Sequence, residues 1–73
     1  MTDSLVMWVV YDHPTDFPDG FIARRWDGAT PTNVVITANT AGAVRTQLRH
    51  VAPDLVCFKR AENDDPKIVE VWL

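Results

Sequence analysis

The chain has 73 residues, with ten acidic against seven basic side chains and a net charge of −3. That length gives one domain near the lower size limit for independent folding, and the acidic balance disfavours general attraction to nucleic acid or to an anionic membrane. A single cysteine, Cys57, excludes an internal disulfide, and with only His13 and His50 beside it there is no paired spacing for a zinc site, so packing and self-association remain as means of stabilising so small a scaffold.

The hydrophobic share of 47% belongs to a folded rather than a disordered chain. Met1-Thr2-Asp3-Ser4 lacks the basic start of a signal peptide, and the apolar run after it is far too short to span a membrane, so a cytoplasmic setting with no membrane contact is expected. That run, Leu5 to Tyr11 (LVMWVVY), is β-branched and aromatic and stops at Asp12-His13-Pro14. It reads as a strand apolar on both faces, the pattern of a central or doubly covered strand.

Asp12 to Gly20 (DHPTDFPDG), with two prolines and three aspartates, is a structured loop. Phe21 to Trp26 (FIARRW) is a second strand, with Phe21, Ala23 and Arg25 on one face and Ile22, Arg24 and Trp26 on the other. Asp27-Gly28 marks a turn, expected to be longer than two residues, before a third strand at Asn33 to Ala38. Asn39 or Thr40 can cap a helix running to His50 or Val51. Val44, Leu48 and Val51 form its apolar stripe, Arg49 and His50 suit its C-terminal dipole, and Pro53 ends it. Leu55 to Lys59 is a fourth strand, Glu62 to Pro66 an acidic turn, and Lys67 to Leu73 a fifth strand, the last two strands pairing as a hairpin. The reading is an α+β domain over residues 1–73, a small, mostly antiparallel sheet of four or five strands in the order β-β-β-α-β-β, with one helix on one face.

One short helix covers only part of one face of such a sheet. The closing strand is expected to place Val69, Val71 and Leu73 on one side and Ile68 and Trp72 on the other, so apolar side chains are left without a layer. An apolar face of that kind normally marks an interaction surface, and the second layer is expected from another copy of the chain, as a homodimer, or from a protein partner.

The segments VYDHP, DFPDGF, ARRW and DDPKIVEVWL together resemble a family of short, uncharacterised bacterial proteins. The resemblance covers most of the chain and is weakest across the helix. It implies a bacterial or prophage-type cytoplasmic protein and carries no activity, cofactor or site residue.

Four groups of residues are candidates for function. Asp12, His13 and Asp16 could ligate a divalent cation or orient a general base, yet their spacing is not that of a calcium loop, and the bland reading is a proline-held turn with local side-chain bonds. Cys57 is the one soft nucleophile, but it lies in an apolar strand where a thiol is normally buried and inert; no phosphate-binding glycine loop is present, no cofactor is implied, and catalysis is not favoured. Arg24, Arg25, Lys59 and Arg60, interleaved with Trp26, could contact single-stranded nucleic acid, against a plain alternative in which Arg45 and Arg49 form the solvated helix face and Arg24 or Arg25 pairs with Glu70. Trp26, Trp72, Ile68 and Phe17 are the interface candidates, since aromatic anchors serve both cores and interfaces. The favoured function is binding to protein, with self-association through the sheet; a nucleic-acid module and an enzyme or metal site are the alternatives.

Overall fold

The computed structural model describes residues 6–15, 17–60, 62 and 66–73. Strands β1 (Val6–Asp12), β2 (Phe21–Asp27) and β3 (Thr30–Ala38) precede helix α1 (Ala41–Val51), and β4 (Cys57–Lys59) and β5 (Ile68–Trp72) follow it. The strands form one sheet in the order β3-β2-β1-β5-β4, every neighbouring pair antiparallel. The apolar, β-branched β1 is central, as its sequence requires. The helix carries the chain from one edge of the sheet, β3, to the other, β4.

Pleating divides the side chains between two faces. Trp8 and Val10 lie opposite Arg25 and Ala23 on β2 and opposite Trp72 and Glu70 on β5. On this side Val44 and Leu48 of α1, both fully buried, close a core with Trp8, Val10, Ala23 and Trp72. Met7, Val9 and Tyr11 lie opposite Trp26, Arg24 and Ile22, and among the described residues this second face carries no helix.

A register shift at Val10 and Tyr11 passes from Glu70 directly to Ile68, so a β-bulge separates the two halves of β5. Val69 thereby packs on the helix-side core, while Ile68, paired with Tyr11, joins Val71 on the open side. The simple alternation expected from the sequence placed these two residues the other way round.

The Asp27-Gly28 signal makes a tighter turn than expected. Asp27 pairs with Thr30, leaving Gly28 and Ala29 as a two-residue loop with Gly28 at φ 62°. A positive φ at the first loop position matches the type II′ hairpin, whose twist suits the flanking strands. Thr40 caps α1, its hydroxyl accepting from Ala43 N at 3.1 Å, and the helix ends with Ala52 N donating to Leu48 O at 2.8 Å just before Pro53. Val51 departs from the expected stripe: it is 61% exposed, because the last turn overhangs an open groove instead of the core.

Candidate functional site

The loop after β1 is held by its ends. Asp12 N donates to Lys67 O at 2.7 Å and His13 N to Gly20 O at 2.8 Å. His13 adopts φ 48°, its Nδ1 bonds the Asp12 carboxylate, and its ring meets Phe21 edge-on with centroids 5.4 Å apart. Phe17 is half-buried over Gly20, whose Cα lies so close to β3 that an added Cβ would sit 2.5 Å from Ala38 O. Asp16 lies outside the described residues. Among the described residues no group of three or more His, Cys, Asp and Glu side chains could hold a metal ion, and no helix is long and apolar enough to cross a membrane.

The charged residues of the sheet are sorted by the pleat. Arg24 and Trp26 share the open face, and the Arg24 guanidinium donates to Thr32 O at 2.8 Å. Arg25 turns to the helix side, near Asp27 at 3.4 Å, and Lys59, opposite Glu70, is on that side too. Lys59 and Arg60 line a cleft of about 410 Å³ with Arg45, Glu62, Val69 and Glu70. The four basic nucleic-acid candidates are therefore not gathered on one face with Trp26.

Glu70 is the one buried charged side chain among the described residues, 4% exposed, and its ion-pair partner is Arg45, in place of the expected Arg24 or Arg25. Arg45 reaches down from α1 and grips both carboxylate oxygens, Nη2 at 2.7 Å from Oε1 and Nε at 3.0 and 3.1 Å from Oε1 and Oε2. Trp72 Nε1 donates to Oε2 at 2.6 Å, and the Cys57 thiol is a third donor. Burial pushes the Glu70 carboxyl up, but the bonds from Arg45, Trp72 and Cys57 outweigh it and hold it below the usual carboxylate range. Cys57 is exposed as a residue, contrary to expectation, because β4 is an edge strand. Its thiol is raised above the ordinary value by desolvation and then by the Glu70 charge beside it, which leaves it a poor nucleophile. Arg49 lies over the Trp72 ring, 5.9 Å from its centroid. Arg49 is exposed, as expected of a solvated helix face, whereas Arg45, half-buried, is tied to Glu70. Trp72, an interface candidate by sequence, is a core residue at 5% exposure.

The open face is the remaining candidate. Its centre is not bare: Val9 and Ile22 are buried there although no helix covers them. Neighbours on the same face, the larger Met7, Tyr11, Arg24 and Trp26 together with Val71, are each half-buried and shield them. Most of the exposed apolar surface of this face lies toward the β4–β5 edge, with Val35 exposed at the β3 edge. Phe58 pairs with Val71, and Val56 and Leu73 exchange backbone hydrogen bonds at 2.8 and 3.0 Å, which extends the ladder by one pair on the same side. Phe58 is 52% and Val56 58% exposed, and Leu73 is exposed as well. Trp26 and Ile68 share this face with the patch, half-buried. Sequence reasoning missed Val56 and Phe58, although their alternation with Cys57 and Lys59 in LVCFK carried the signal. It also missed the Glu70 cluster, whose sign was one acidic residue inside the apolar run IVEVWL.

No protein-family model, curated protein or solved structure matches the chain.

Proposed function

We propose that this chain is a binding protein that self-associates through its sheet, packing the open face against the same face of a second copy. The supporting observation is the apolar patch of Val56, Phe58, Val71 and Leu73, set on a sheet face that no other element of the described residues covers. Arg24, the charged residue in the middle of that face, donates to Thr32 O of its own chain, which satisfies one of its donors but leaves its charge in place. Five strands about 4.8 Å apart and roughly six residues long give a face of about 480 Å², or about 1,000 Å² for two copies, the lower bound for a specific interface. A cytoplasmic setting and kinship with the short bacterial family belong to the same proposal.

The test is mass by size-exclusion chromatography with light scattering. A wild-type mass at least twice the 8.2 kDa of the chain, reduced by Phe58→Glu, supports the reading. A wild-type protein that stays monomeric at high concentration overturns it. Arg24 and Trp26 side by side on the open face favour contact with single-stranded nucleic acid as the second reading. Filter binding with no salt-sensitive retention of a single-stranded oligonucleotide would dispose of it.

A further inference from the structure

We infer that the outer edge of β3 pairs antiparallel with β3 of a second copy, joining two five-stranded sheets into one. The two edges of the sheet differ in kind. β4 is three residues long and ends in Lys59 followed by Arg60, which are common devices for discouraging strand addition. β3 runs for nine residues, TPTNVVITA, without a charged side chain. Along its outer side alternate N–H and C=O groups face away from β2 and find no neighbouring strand among the described residues.

Only part of β3 is suited to pairing. Pro31 lacks a donor, and the register with β2 breaks between Arg24 and Trp26. In that stretch Thr32 is already engaged: its hydroxyl donates to Arg25 O at 2.7 Å and accepts from Val34 N at 3.2 Å, and its carbonyl takes the Arg24 bond. The ladder with β2 is regular from Val35 to Ala38. Two copies related by a two-fold axis at Ile36 would set Ile36 against Ile36, Val35 against Thr37, and Val34 against Ala38.

Charge and shape identify a second copy as the occupant. A strand paired with itself brings each side chain against one from the same strand, so a charge on it would meet its own sign. β3 has none, and apart from Ala38 the side chains brought together are β-branched, the kind that pack best across strands. Val34 is 49% exposed on the helix side, where with Ile36, Trp8, Val51 and Leu55 it lines an apolar groove of about 560 Å³. The added strand brings another Val34 and Ile36 to that edge. This contact is separate from the face-to-face one and stands whether or not that one does. Its two-fold axis is perpendicular to the sheet, whereas that of the face contact lies between layers. The two together would close four copies into two stacked sheets.

The experiment measures mass by light scattering for wild type, Val34→Lys and Phe58→Glu, with folding checked by far-UV circular dichroism. Ile36→Cys in a Cys57→Ser background is treated with a mild oxidant alongside. The edge contact predicts that Val34→Lys halves the wild-type mass. It also predicts that Ile36→Cys forms a disulfide-linked species at twice the 8.2 kDa chain mass, because Cα atoms paired across a two-fold lie about 4.5–5.5 Å apart, within disulfide reach. A folded Val34→Lys protein with the wild-type mass, or a folded Ile36→Cys protein without the cross-link, overturns the edge contact. If Val34→Lys does not fold, the cross-link alone decides. Phe58→Glu retaining the wild-type mass while Val34→Lys loses it overturns the face contact only, and a monomeric wild type overturns both.

Discussion

Glu70 shows how one residue organises the helix side. A carboxylate at 4% exposure is tolerable only because three donors meet it, and each comes from a different place: Arg45 from α1, Cys57 from β4 and Trp72 from β5 itself. The cluster thereby ties the helix to the β4–β5 hairpin by a bond that has direction, which apolar packing lacks. Because the folded carboxyl is held below its usual value, the charged form contributes stability that is fully present at neutral pH. That contribution declines once pH falls below the ordinary carboxylate pKa of about 4.3 and is lost as pH passes through the folded value. Glu70→Gln is expected to destabilise the protein at pH 7 by about 1–3 kcal/mol. In thermal melts from pH 7 to pH 3 the gap between wild type and Glu70→Gln should narrow as pH falls; a gap constant with pH would contradict this account.

At the scale of the element, α1 depends on its neighbours more than on its own sequence. It is 11 residues long, below the length at which isolated helices hold together in water, has no acidic residue in its first turn, and contains Gly42. Val44 and Leu48 supply the packing, Arg45 the tie to β5, and Thr40 the N-cap. Removing the cap exposes the weak end: Thr40→Ala is expected to cost about 1 kcal/mol in urea unfolding, with an unchanged m-value. The loop between β1 and β2 depends on contact of another kind. Gly20 passes so near β3 that any side chain would strike the backbone at Ala38, so the glycine is required by proximity and not by its dihedral angle.

On the scale of the whole molecule, the two sides of the sheet solve the burial problem differently. The helix side builds a core of ordinary kind. The open side shelters Val9 and Ile22 under its own large side chains and leaves its most exposed apolar groups near one edge, at Val56, Phe58 and Leu73. If a second copy completes this surface, folding and association are linked, and stability must depend on concentration. The melting temperature of wild type should rise measurably between micromolar and several hundred micromolar protein, and that of Phe58→Glu should rise less. A flat wild-type profile would count against association in this range.

Much of the fold was legible in the residues. The β-branched run of β1, the capped and proline-terminated helix, and the strand sequences around acidic or glycine-containing turns each follow from local preferences, and local preferences are written in the chain. What could not be read depended on partners distant in sequence. The bulge at Val69 exchanged the faces of Ile68 and Val69. The packing of α1 on the sheet brought Arg45 to Glu70 and left Val51 over a groove, and the burial of Trp72 withdrew it from the expected interface. The sequence alone determined that one helix could not cover both faces of this sheet, because 11 helical residues offer too little apolar surface. Only the tertiary structure decided which residues remain outside that cover, because a single-residue register shift sends a side chain to the opposite face, and register is set by neighbouring strands rather than by the strand itself.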